Sequence, residues 1–194
     1  MSQPVSRDQI KKVADWLHGL GVRFIVVGGS AIELHYGAGT RDIDVLILVG
    51  DWRSVAEALS HSPLATPLEP DEGQLRGTQV RLGGIEPIDL EFISAEPFSG
   101  NRSPDEFVEY VRNYRSEKIG DVRYADPAVV WYIRLSIEGL WDQYVSKIRR
   151  DIVAGVPEAT FDAVVEIADR FGVADKIRER VNFAQKTLLY FKDS

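Results

Sequence analysis

One stretch constrains this chain more than any other. A β-branched run, Arg23-Phe24-Ile25-Val26-Val27, stops at Gly28-Gly29-Ser30 and is answered by a second run that opens Asp42-Ile43-Asp44. Short unbroken runs of this kind read as buried strands. Between them Ala31 to Tyr36 allows only a very short helix, closed by Gly37 and Gly39. A parallel crossover takes at least about 10–12 residues, its helix included, so these strands do not form a dinucleotide-binding unit. G-x-G-x-x-G is also incomplete, because Ile32 stands where its last glycine would fall.

The acids that open the second strand point to a different chemistry. Alternate side chains of a strand share a face, so Asp42 and Asp44 point one way and Ile43, Val45 and Ile47 the other. Their Cα atoms lie about 6.5–7 Å apart, near enough for the carboxylates to share or bridge hard cations. Like charges held together repel, and a bound cation removes that cost. The bland alternative is a solvated strand face, on which acid and apolar residues commonly alternate.

The glycines have a complementary part. A small-residue turn that opens a helix presents backbone N–H groups and partial positive charge, which together bind phosphate oxygens. Gly28 and Gly29 permit close approach there, and Ser30 adds a hydroxyl donor.

A later strand, Pro87 to Ile93, sets Asp89 and Glu91 on one face against Ile88, Leu90 and Phe92 on the other. Asp89 is assigned as the third carboxylate, near the attacking hydroxyl, with Glu91 as its alternative. Arg41 reads as a phosphate contact or as a structural ion pair with the neighbouring acids. Lys147 reads as a contact to triphosphate or RNA, or as a solvated helix position. Asp151 reads as support for the chemistry, or as a surface acid paired with Lys147 one helical turn earlier.

Val27-Gly28-Gly29-Ser30, a short helix, Asp42-Ile43-Asp44-Val45-Leu46-Ile47 and a later acidic strand resemble the signature of the polymerase-β-type nucleotidyltransferase superfamily. The resemblance covers about residues 23 to 93. It implies an α/β (α+β) fold with a mixed-sheet nucleotidyltransferase core. It also implies NTP such as ATP at Gly29 and Ser30, with Gly28 beside them in the same turn, and magnesium, or manganese in its place, at Asp42, Asp44 and Asp89. The implied reaction moves a nucleoside monophosphate onto an acceptor hydroxyl.

Further along, Asp126-Pro127, Lys147 and Arg149-Arg150-Asp151-Ile152 resemble the lysine and Arg-x-Lys-Asp region of abortive-infection and toxin–antitoxin nucleotidyltransferases. Arg150 stands where that pattern often has lysine. This second resemblance implies an acceptor RNA such as tRNA, or an acceptor protein, and a cognate antitoxin as partner. The alternatives are a small-molecule acceptor of the aminoglycoside type, a non-catalytic nucleotide-binding module, and an antitoxin-like partner protein.

The rest of the chain supplies a frame. Ser6 with Gln9 and Ser103 with Glu106 are capping-box patterns that start helices. Asp51 can cap a further helix through about Leu59. The stretch from His61 to Gly73, with its three prolines, reads as loop. Gly77–Leu82 and Pro87–Ile93 read as strands joined by a Gly83-Gly84 turn, and Glu117–Tyr124 as one more short strand. From Asp126 the pattern is helical, broken near Gly155–Pro157 and at Gly172. Two parts follow: 1–124 as the catalytic core and 125–194 as a helical region packed on it.

The formal charge of −7 argues against a large nucleic-acid surface, although Arg112, Arg115, Lys118 and Arg123, then Lys147, Arg149 and Arg150, can line an RNA path among interleaved acids. There is no cysteine, and His18, His35 and His61 are too scattered for a zinc site. The sequence has no run of about 20 apolar residues that could span a membrane, and it starts without a signal-peptide core. A cytoplasmic protein is expected.

Overall fold

Both capping boxes form as the sequence predicts. The Ser6 hydroxyl accepts from the Gln9 N–H while the Gln9 side chain accepts from the Ser6 N–H, which starts α1 (Arg7–Gly19). Ser103 and Glu106 do the same for α4 (Pro104–Tyr114), with Pro104 at its first position. The computed structural model describes residues 5–37, 39–48, 52–71, 74–82, 87–137 and 141–192. The Asp51 cap and the Gly83-Gly84 turn lie outside the described residues.

The other elements are β1 (Phe24–Val27), α2 (Gly28–Tyr36), β2 (Asp42–Ile47), α3 (Trp52–Ser60), β3 (Ala65–Asp71), β4 (Gln74–Val80) and β5 (Ile88–Ser94). After α4 come β6 (Ser116–Ile119), β7 (Val122–Ala125), α5 (Pro127–Ser136), α6 (Trp141–Val153), α7 (Thr160–Arg170) and α8 (Ala174–Lys192). The strands form one seven-stranded mixed sheet in the order β3-β4-β5-β2-β1-β7-β6. β1 and β2 run antiparallel, so the short α2 serves as a connection that no parallel crossover could use. β2 and β5 run parallel.

Two expectations are corrected. Residues 65–71 form a strand rather than loop, β3, which occupies the edge of the sheet and pairs only with β4. Pro67 and Pro70 fit there because an edge strand leaves one row of backbone donors unpaired, and the register shifts beside both. The single strand at Glu117–Tyr124 is a hairpin, β6 and β7, whose turn carries Gly120 at φ 62°.

Period-two alternation sorts the core onto the two faces of the sheet. Phe24, Val26, Ile43, Val45 and Ile47 pack with Ile10, Val13 and Leu17 of α1 and Val55 of α3. Ile25, Val27 and Leu46 face the other way, into a cluster with Phe107, Trp131, Val145, Phe161 and Leu188. Apolar burial contributes about 25 cal/mol per Å², so this second cluster binds the helices from α5 to α8 onto the sheet. Among the described residues, no helix is long and apolar enough to cross a membrane.

Candidate active site

The acids belong to the sheet face that the helical region covers. In register, Asp42 stands opposite Asp89 and Asp44 opposite Glu91 on the neighbouring parallel strand. Beyond them a cleft of about 600 Å³ opens between the sheet and helices α5 and α6. Asp42, Asp44 and Glu91 line one side. Arg134 of α5 and Tyr144, Lys147 and Arg150 of α6 line the other, with Ile93, Val130 and Ile133 as an apolar floor.

Asp44 is half-buried, and its carboxyl is pushed up to about 7. Burial is the largest cause, followed by the nearby charges of Asp42 and Glu91. A hydrogen bond from the Gly29 N–H and the charge of Lys147 pull it down again. The same crowding raises the Tyr144 phenol, chiefly through burial and then through Glu91.

The glycines make room for the acids. Gly28 has φ +61°, and a Cβ there would coincide with the Asp44 carboxylate. A Cβ on Gly29 would sit 2.6 Å from the Thr40 hydroxyl. Ser30 is fully buried, and its hydroxyl donates to the Asp42 carbonyl at 2.7 Å. Thr40, 7% exposed, lies 3.0 Å from Oδ1 of Asp42.

The basic side is anchored from below. Asp151 is completely buried on α6, where it pairs with Arg134 and accepts from Trp131 Nε1 at 3.0 Å. Its Oδ1 has no hydrogen-bond partner, with Arg150 3.7 Å away. Lys147 sits over the Tyr144 ring, 5.4 Å from its centre.

Of the residues singled out from sequence, Gly28, Gly29, Arg41, Asp42, Asp44 and Lys147 meet at this cleft, as does Glu91. Asp89 does not line it; that side chain is exposed and accepts from Gln79 at 3.2 Å. Ser30 is turned into the protein instead of the cleft. Asp151 is a buried anchor and not a surface acid. Of the expected basic path, Lys147 and Arg150 line the cleft, whereas Arg115 is engaged by Asp126 and Glu166, and Lys118 by Asp121.

Thr40, Arg134 and Tyr144 escaped the sequence reading. Arg134 left one signal, as a single cation in the otherwise apolar run Val129–Leu135. Thr40 and Tyr144 left none.

The donor set suits a hard divalent cation: carboxylates only, one of them held toward its protonated form by its neighbours. Among the described residues no three acid or histidine side chains already gather into a cage. Magnesium does not need one, since it is usually held by one or two carboxylates together with substrate phosphates and water.

No protein-family model matches the chain, and no curated protein sequence matches it. Solved structures resemble it in outline. One is an H. pylori protein assigned as a nucleotidyltransferase, at 11% identity and TM-score 0.38, covering 96% of this chain and 99% of that one. Another is the solution structure of the antibiotic-resistance factor ANT(2'')-Ia, at 13% and 0.40, covering 95% and 93%. The crystal structure of ANT(2'')-Ia with adenylyl-2''-tobramycin gives 14% and 0.38, covering 93% and 97%.

Proposed function

We propose that this chain is a nucleotidyltransferase that moves a nucleoside monophosphate from an NTP to an acceptor hydroxyl and releases pyrophosphate. One observation carries the proposal: Asp42, Asp44 and Glu91 confront Arg134, Lys147 and Arg150 across a single cleft. A triphosphate is a chain of anions, and the basic side is placed to bind it and to oppose the charge that grows on the leaving pyrophosphate. The apolar floor of Ile93, Val130 and Ile133, with the Tyr144 ring, offers the nucleobase a dry surface.

Magnesium, with manganese able to replace it, would be held by Asp42 and Asp44. Such an ion supplies charge neutralisation and activates the attacking oxygen. We assign the third carboxylate to Glu91 rather than Asp89, because Glu91 is in register with Asp44 and lines the cleft.

The acceptor is an RNA end such as that of tRNA, or a protein hydroxyl, as in toxin-system enzymes. That assignment rests on the sequence around Lys147 and Arg149–Asp151, and the cognate antitoxin would follow from it. The cytoplasm, rich in NTP and magnesium, is the natural compartment. A polycationic small molecule of the aminoglycoside type is the second reading. It is favoured by the exposed carboxylates of Asp42, Asp89 and Glu91 at the cleft and its rim.

The test is transfer of label from each α-labelled NTP into total RNA, total protein and a panel of polyamine-bearing small molecules, with Asp44→Ala alongside. Label in one fraction, absent from the variant, is the expected result and names the acceptor. Thermal stabilisation by NTP and magnesium with no incorporation anywhere would reduce the chain to a binding module.

A further inference from the structure

The loop that leads into β2 carries a hydroxyl that the proposed chemistry has not used. Thr40 Oγ1 lies 3.0 Å from Oδ1 of Asp42 and 3.1 Å from the Asp42 carbonyl oxygen. A threonine hydroxyl has one proton and can satisfy only one of these acceptors at a time. The carbonyl already accepts from Ser30 Oγ at 2.7 Å. The carboxylate is the better acceptor for the Thr40 proton, because that bond is charge-assisted and the stronger of the two.

The position of this hydroxyl is fixed from several sides. Thr40 is 7% exposed, and its carbonyl accepts from the Val5 N–H at 2.7 Å. The N–H of Gly39, the residue before it, donates to the Glu33 carboxylate on α2. Gly29 packs against Oγ1 so closely that a Cβ would stand 2.6 Å from it. The N-terminal segment and two positions of α2 thus converge on one short loop at the mouth of the cleft.

We propose that Thr40 is a positioning residue: it holds Oδ1 of Asp42, fixes the rotation of that carboxylate, and so leaves Oδ2 set for a divalent cation. The inference rests on the nucleotidyltransferase reading and extends it by one residue. Partners that orient a metal-binding carboxylate typically change ion affinity by about 10–100-fold when removed. A residue that merely completed a turn would change stability instead and leave ion affinity alone.

The experiment is a manganese titration of the full chain, with free ion read by electron paramagnetic resonance. A non-hydrolysable NTP analogue is present, and ion bound by the analogue alone is subtracted. Thr40→Val and Thr40→Ala are each expected to bind manganese about 10–100-fold more weakly, and Thr40→Ser to restore the wild-type affinity. Alanine guards against the valine methyl crowding Gly29. In transfer assays the Thr40→Ala defect should appear in the magnesium requirement and shrink when magnesium is raised.

Asp42→Asn sets the scale for loss of the carboxylate itself. If both Thr40 variants bind manganese like wild type while Asp42→Asn does not, the role of Thr40 is refuted and the nucleotidyltransferase site stands. If wild type and Asp42→Asn bind manganese alike, the site reading fails and takes this inference with it.

Discussion

Asp44 carries a conflict that its neighbours impose. Burial first, then Asp42 and Glu91, lift its carboxyl from 3.8 to about 7, so the folded ion-free chain keeps a proton that the unfolded chain has already lost. Over that window the folded state binds more protons, and stability falls as pH rises from about 4 to about 7. Asparagine keeps the shape without the charge. In EDTA, Asp44→Asn is expected to melt near wild type at about pH 4.5 and above it at about pH 8. Scanning calorimetry at both pH values checks this, and magnesium with NTP should reverse the order at the higher pH. Gly28→Ala presses on the same carboxylate. A side chain at φ +61° costs about 1–3 kcal/mol of strain, and this one also displaces Asp44. Urea titration should show the loss in stability and NTP titration a weakened affinity.

Among the elements, α5 depends on the residue that caps it. The Asp126 carboxylate accepts from the Val129 N–H at 3.0 Å and lies 3.6 Å from Arg115. Asp126→Ala is expected to cost about 0.5–2 kcal/mol in chemical denaturation. Because α5 also carries Arg134, the same variant should raise KM for NTP more than it lowers kcat. Caps of this kind were legible in the sequence because each is written within four residues: Ser6 with Gln9, Ser103 with Glu106, Asp126 with Pro127. The pairing partners of strands are not local. Asp89 and Glu91 share a face by simple alternation, yet only the register of β5 on β2 decides which of them reaches the cleft. β3 was hidden for a related reason, since prolines forbid a central strand and only its edge position makes Pro67 and Pro70 tolerable. Ser30 was legible as a small polar residue in a turn, but not the burial that turns its hydroxyl onto Asp42.

At the scale of the whole molecule, one pairing holds the two sides of the cleft together. Arg134 and Asp151 are both buried, and they tie α5 to α6. Removing one partner strands the other charge, so Arg134→Met is expected to cost about 3–5 kcal/mol. The double variant Arg134→Met, Asp151→Leu should recover much of that stability in calorimetry while NTP binding stays weak. The sheet likewise depends on the helices, because Ile25, Val27 and Leu46 have α5 and its neighbours as their cover. A fragment of residues 1–125 is therefore expected to lack a cooperative melt and to give a poorly dispersed amide spectrum. The acidic side of the cleft, with Arg41 beside it, is complete once Glu91 has been made, whereas the cations of the helical side begin at Arg134 and end at Arg150. A chain emerging from the ribosome folds from its N-terminus onward, so it holds its carboxylates, Arg41 and the Gly28-Gly29 turn long before it holds the helical cations that complete the cleft. A product that stops before Arg134 is therefore expected to lack the proposed activity, because the helical side of the cleft has not yet been made.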